Sequence, residues 1–271
     1  MQTIIYNSSL PRSGGTLLQN VLAQNSDIYA SNTSLLLDFI SAAQKEFSIK
    51  IQYSDQSDVY NLKNAFYNFC SEGMKAYCHT QSNKPYFIDK NFNWGHNYDF
   101  LQAIQLKKPK IILMIRDLRD IFCSMEENYR RDPLKYNMNV NWNNLSGTSM
   151  QKRVGEWMTS MPVGHSLEKL LEIVNFKNDK NIHIVKYEDF CEKPQEVMNG
   201  IYDYIGMPKF IHDFDNIKQV TKENDVLYFA DHKIRPWLSK QDSRAKDILQ
   251  GGYEYIYEQY KWFFEYFNYK K

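Results

Sequence analysis

An α/β fold, with a central parallel sheet covered by helices on both faces, is predicted by two features of the sequence. Four short apolar runs, at residues 3–6 (TIIY), 86–88 (YFI), 110–115 (KIILMI) and 182–185 (IHIV), are bounded by polar or turn residues. Between them lie long stretches with helical periodicity, at 16–24, 35–47, 59–78, 119–129, 151–174 and 194–204, and the chain ends in an aromatic-rich helical stretch. Short apolar runs of this length suit buried strands, and strands alternating with helices imply a parallel sheet. Ligands of such sheets bind at the C-terminal ends of the strands, near a switch in strand order.

The 271 residues suffice for one large domain, and residues 1–271 read as a single domain without internal repeats or a low-complexity linker. Net charge is +1, so nothing global favours nucleic acid, and any anion site must be built from a few local cations. Four scattered cysteines form no CxxC pair, which argues against a zinc site or a disulfide framework and for free thiols in a reducing compartment. Residues 3–6 already read as a strand, so no secretory leader is expected. The longest apolar run is far short of the roughly 20 residues of a membrane span. The expectation is a cytoplasmic protein with no membrane span, and no metal site.

The first run leads directly into Asn7-Ser8-Ser9-Leu10-Pro11-Arg12-Ser13-Gly14-Gly15-Thr16-Leu17-Leu18. Two glycines let the backbone approach an anion closely. The helix start that follows offers unpaired N–H groups and the positive end of a dipole. Ser13 and Thr16 add hydroxyls, and Arg12 adds a fixed charge. A triphosphate loop of the GxxxxGK[ST] type needs a lysine after its glycines, and none is present here. The second signal is the buried strand that ends in Arg116, followed by a helix carrying Ser124. Arg116 therefore falls on the same sheet edge as the glycine loop, and Arg plus Ser suits a phosphate clamp. Asp117 and Asp120 suit helix-start positions, where they complement the dipole. Glu126, Glu127, Arg130 and Arg131 read as a solvated helix face. The dense C-terminal aromatics read as a helix packed on the sheet.

These motifs resemble those of sulfotransferases that use PAPS (3'-phosphoadenosine 5'-phosphosulfate), and most closely the tyrosylprotein sulfotransferase-like branch. The resemblance implies a P-loop-like three-layer fold. Residues Arg12, Ser13, Gly14, Gly15, Thr16 and Leu17 would hold the 5'-phosphosulfate, with Gly15 where the family usually has Thr. Arg116 and Ser124, eight residues apart as in the family, would hold the 3'-phosphate. Tyr187 in Lys186-Tyr187-Glu188-Asp189-Phe190 would lie by the nucleotide. Arg12 and Lys90, the latter in Asp89-Lys90-Asn91, would assist transfer by offsetting charge on the sulfuryl oxygens and the leaving phosphate oxygen, and Lys240 would approach the donor. Trp94 is an alternative ring for adenine, or simply core.

The implied reaction moves a sulfuryl group from PAPS to a hydroxyl acceptor and releases PAP (3',5'-ADP). The acceptor is open among a small molecule, a sugar, a lipid and a peptide tyrosine. The branch's basic glutamate has no counterpart at residues 29–34 (YASNTS), which leaves His96 and Asp38 as alternatives for the base. Two other readings stay open: a small-molecule kinase, disfavoured by the missing loop lysine and by Arg116 where an acidic residue would stand, and a non-catalytic nucleotide-binding protein.

Overall fold

The computed structural model describes residues 2–54, 58–136, 145–175, 181–225, 231–240 and 242–271. In chain order the elements are β1 (Thr3–Asn7), α1 (Gly15–Leu22), β2 (Ile28–Thr33), α2 (Leu36–Lys50), α3 (Val59–Gln81), β3 (Tyr86–Lys90), α4 (Tyr98–Gln105), β4 (Ile111–Ile115), α5 (Leu118–Arg131), α6 (Met150–Thr159), α7 (Val163–Asn175), β5 (Ile182–Lys186), α8 (Tyr187–Glu192), α9 (Pro194–Ile205), α10 (Ala245–Leu249), α11 (Gly251–Gln259) and α12 (Lys261–Tyr266).

The five strands form one sheet in the order β2-β3-β1-β4-β5, and every pairing is parallel. All strand C-termini therefore share one edge. Asn7 lies opposite Lys90, and Thr33 opposite Lys90 from the other side. The chain moves from β1 to one side, through β2 and β3, and then crosses to β4. The switch in strand order thus falls between β1 and β4, where the glycine loop and Arg116 emerge.

Side chains alternate across the pleat, as strand geometry requires. On β4, Ile112 and Met114 join Ile5, Leu18, Val21, Met198 and Ile201 in a cluster under α1 and α9. Leu113 and Ile115 point the other way, into a cluster built from α5, α6, α7 and the C-terminal helices. A third cluster packs Tyr6, Phe87 and Ile111 against α2, α3 and α4. Three layers result, and β4 is buried along its whole length.

The four expected strands are present, each extended or trimmed by one or two residues. A fifth, β2, is an edge strand that pairs only with β3. Its polar C-terminal half hid it from the apolar pattern. The expected helix at 151–174 is two helices, α6 and α7, broken around Ser160-Met161-Pro162. Proline lacks the N–H a continuous helix needs there and its ring opposes the preceding turn. Glu126 is a second correction. It is fully buried rather than solvated, and the guanidinium of Arg153 on α6 holds it at 2.6 and 2.8 Å, with Arg130 at 2.8 Å. A buried carboxylate is tolerable only with such partners. Asp117 caps α5 by accepting from the Arg119 N–H at 2.9 Å. All four cysteines are free and buried.

The C-terminal aromatics lie on two short helices, α11 and α12, rather than one. Phe263 and Phe264 are wholly buried in the cluster beside α5. Phe263→Ala should lower the unfolding free energy by about 3–5 kcal/mol, read from the midpoint of denaturant unfolding. A loss under about 1 kcal/mol would mean that this end is an appendage and not part of the core.

Candidate functional site

A cavity of about 1160 Å³ opens at the C-terminal edge of the sheet. Its lining includes Arg12, Gly14, Gly15, Thr16, Leu17, Lys90, Arg116, Ser124, Tyr187 and Lys240. Nine of the ten residues expected to bind the donor are therefore brought together, along with Lys90. The tenth, Ser13, is fully buried and turned away. Its hydroxyl donates to the carbonyls of Leu10 (2.6 Å) and Met114 (3.0 Å), and so ties the loop to β4.

The loop is anchored along β4 by the Ser8 and Leu10 N–H groups, which donate to Ile112 and Met114. Arg12 adopts φ 61°, a left-handed conformation that costs a non-glycine residue about 1 kcal/mol or more. Gly14 has φ 92°, and a Cβ there would stand 2.6 Å from the Tyr187 ring. A Cβ on Gly15 would stand 2.5 Å from Ser9. Both glycines are thus required by close approach. Helix α1 begins with no side-chain cap and no acidic residue in its first turn, so its leading N–H groups face the cavity end of the loop with their positive dipole uncompensated.

Three cations converge here. The Arg116 guanidinium lies over the Tyr187 ring, 4.6 Å from its centre, and donates to the Arg12 carbonyl at 3.3 Å. Its Nε is buried and has no hydrogen-bond partner among the described residues. Arg12 donates to Ser124 Oγ at 3.2 and 3.3 Å and to the Asp231 carbonyl at 2.6 Å. Arg12 therefore reaches the Ser124 side of the cavity. Burial lowers its pKa, and the neighbouring Arg116 charge lowers it further. Lys90 donates to Thr16 Oγ1 at 3.0 Å and to Glu223 Oε1 at 2.5 Å. Burial lowers the Lys90 pKa, while Glu223 opposes that shift. An orphaned guanidinium N–H, a glycine cradle and an uncapped helix start are the donor set an anionic nucleotide would use.

Among the other expected residues, Lys240 lies at the rim and pairs with Glu192 at 2.8 Å. Asp38 lines the cavity from the first turn of α2. His96 does not line it; its Nδ1 lies 2.6 Å from Glu172 on α7. Trp94 is wholly buried against Tyr6, with its Nε1–H donated to Asp89 at 2.8 Å, and so is core.

Sequence reasoning missed the segment that carries Glu223, Asp225, Asp231 and His232. Glu223 is nearly inaccessible and accepts from the Thr33 N–H at 3.1 and 3.2 Å as well as from Lys90. Burial alone would raise its pKa, but Lys90 and Thr33 outweigh burial and hold it below the usual range. His232 lines the cavity with Nδ1 fixed at 2.9 Å from Asp225. The one sequence signal for this segment is its cluster of charged residues, Lys222, Glu223 and Asp225.

A glycine loop and paired arginines at the switch point of a parallel sheet make a donor set suited to phosphorylated ligands. Residues 5–212 match the sequence model of the sulfotransferase family. The chain belongs to that family. Among solved structures it resembles the sulfotransferase domain from the curacin biosynthetic pathway, with 19% identity over 96% of this chain and 98% of that one and a TM-score of 0.54. It is also similar to the sulfotransferase domain of the Synechococcus PCC 7002 olefin synthase (20% identity, 78% of this chain and 75% of that one, TM-score 0.47). A third relative is mouse sulfotransferase SULT7A1 complexed with PAP (16% identity, 95% and 84%, TM-score 0.49). At these identities the likeness is one of fold. No curated protein matches the chain. No helix among the described residues is long and apolar enough to cross a membrane.

Asp89, next to Lys90, gives the site a measurable pH signature. It is fully buried, accepts from Ser34 (2.7 Å) and Trp94, and leaves Oδ2 without a partner among the described residues. Burial raises its pKa to about 6. Below about pH 4 both folded and unfolded states hold the proton. Between there and pH 6 the unfolded chain releases it first, so folding loses stability as pH rises. Asp89→Asn removes that dependence. The melting temperature of the variant relative to wild type should therefore climb from pH 4.5 to pH 7; a flat difference would mean that Asp89 is ionised in the fold at little cost.

Proposed function

We propose that the protein transfers a sulfuryl group from PAPS to a hydroxyl acceptor and releases PAP. The observation that carries this reading is Arg116, half-buried on Tyr187 beside Arg12 and Ser124, with a buried Nε that has no partner among the described residues. A second phosphate placed there, away from the glycine loop, is what separates PAPS from ADP or ATP. The cavity exceeds the usual range for a small-ligand pocket, about 300–1,000 Å³, which leaves room for a second reactant beside the nucleotide.

In this reading the α1 N–H groups and Thr16 grip the 5'-phosphate. Arg116, Ser124 and Arg12 hold the 3'-phosphate. Lys90, already on Thr16 at 3.0 Å, meets the oxygen that bridges phosphorus and sulfur. The acceptor oxygen attacks sulfur in line, its proton passes to a base, and the S–O bond to the 5'-phosphate breaks with its electron pair leaving on PAP. Fixed donors aimed at that charge lower the barrier without reorganisation. Residues 1–271 would act as one domain in this scheme. The finer placement, beside the tyrosylprotein sulfotransferases, rests on the loop and the Arg116–Ser124 spacing, and it makes a peptide tyrosine the first acceptor to offer.

Calorimetric titration of PAP, with ADP as control, tests the reading. Wild type should bind PAP well above ADP. Arg116→Ala should weaken PAP by roughly 10- to 100-fold, the value of a charge-assisted contact, and leave ADP nearly unchanged. Equal affinity for PAP and ADP, or no PAP binding by folded protein, overturns it.

A further inference from the structure

We propose that Glu223 is the base that takes the proton from the acceptor hydroxyl, and that Lys90 controls its basicity by moving between this carboxylate and the donor. The inference rests on the PAPS reading above.

The geometry leads to it in three steps. First, Lys90 bridges two groups, Thr16 of the anion loop at 3.0 Å and Glu223 at 2.5 Å, so the carboxylate stands one ammonium away from where the transferred group must lie. Second, Glu223 is fixed from below by the Thr33 N–H at the end of β2, which aims it at the same strand edge. Third, the alternatives named from sequence are less well placed. His96 lies outside the cavity on Glu172, and Asp38, which lines it, is exposed and forms no ion pair among the described residues. Glu223, in contrast, stands directly behind Lys90, which covers it from the cavity and would uncover it on moving to the donor.

An ion pair this dry is a strong constraint. While Lys90 stays on Glu223, the carboxylate is ionised and weakly basic. A donor phosphate that draws the ammonium away leaves a buried carboxylate without its cation, and such a group gains affinity for a proton. The acceptor O–H supplies it. The freed oxygen lone pair forms the new S–O bond, PAP departs with the electrons of the old one, and Lys90 meets the charge that develops on PAP. Glu223 then returns its proton to water as Lys90 comes back. Groups facing Glu223 are Lys90 and Thr33, with His232, itself held by Asp225, close enough to interact electrostatically; Arg12 acts in turn on Lys90 and His232.

PAP alone suffices as the probe. Its binding at about pH 6.5 is followed by calorimetry in buffers of different ionisation enthalpy, which counts protons taken up. Wild type should take up a larger fraction of a proton than Glu223→Gln, the difference cancelling the titration of PAP itself. Glu223→Gln should bind PAP as tightly as wild type or tighter, since Lys90 is no longer shared with a charge. Lys90→Met should also lose the Glu223-dependent uptake, because its carboxylate has no cation to lose; it serves if the glutamine variant does not fold. Equal proton counts in wild type and Glu223→Gln overturn the proposal. So does loss of the uptake in His232→Gln instead, or PAP binding tenfold weaker in Glu223→Gln with no change in protons, which marks a purely structural hold on Lys90. Failure of wild type to bind PAP at all removes the PAPS reading and this inference with it.

Discussion

Three cations at one sheet edge are the constraint around which this structure is arranged. Arg12 and Arg116 follow β1 and β4, Lys90 is the last residue of β3, and the parallel sheet delivers all three to the same end. Bringing like charges together out of water is costly. The pKa values of Arg12 and Lys90 both register the cost, through burial first and then, for Arg12, through Arg116. The fold meets it with what the backbone offers: the Arg12 carbonyl for Arg116, the Asp231 carbonyl for Arg12, and one carboxylate, Glu223, for Lys90. The Arg116 Nε–H has no partner among the described residues, and an anion would complete it.

The backbone strain belongs to the same arrangement. Arg12 at φ 61° and Gly14 at φ 92° turn the loop so that the chain enters α1 without a cap. Ser13, which looked like a ligand-facing hydroxyl, is spent holding that turn against β4. A hydroxyl bonded to two main-chain carbonyls fixes the loop's shape before any ligand arrives, and preorganisation of this kind is what makes fixed dipoles effective. Tyr187 closes the other side, filling the space that a Cβ at position 14 would need and carrying Arg116 on its face.

Most of this was legible because it is local. The β1 loop and the β4 terminus each combine an apolar run, a boundary and a charged residue within a dozen positions, and periodicity finds such units. β2 escaped because only its first half is apolar and one of its edges has no neighbour in the sheet. The join between α6 and α7 needed more weight on Pro162 than the surrounding helical pattern allowed. Glu223 escaped for a different reason. Its segment has no period of its own and takes its shape from distant side chains: Asn20 accepts from the Val220 and Thr221 N–H groups at 2.6 and 3.0 Å, and Gln219 bonds Ile234 and His232. Contacts across some two hundred residues leave no mark in a sequence window. This segment also lies beyond residues 5–212, where the family likeness ends.

That difference in legibility has a chemical counterpart. The local motifs build a site for an anion, and an anion site alone explains binding. What a transfer reaction adds is a group that can hold a proton when the charge around it changes. The absence of a carboxylate at residues 29–34 left His96 and Asp38 as the expected candidates, yet the Thr33 N–H within that stretch holds a carboxylate brought from position 223. Strand order decides where a side chain is needed, and any part of the chain that can reach the edge can supply it. The ion pairs and hydrogen bonds that the cations make within the protein are then also the contacts a ligand must replace. The affinity for an anion is net of the Lys90–Glu223 pair and of the Arg12 bond to Asp231, so the same contacts that keep the cations from standing uncompensated set how strongly it must bind to displace them.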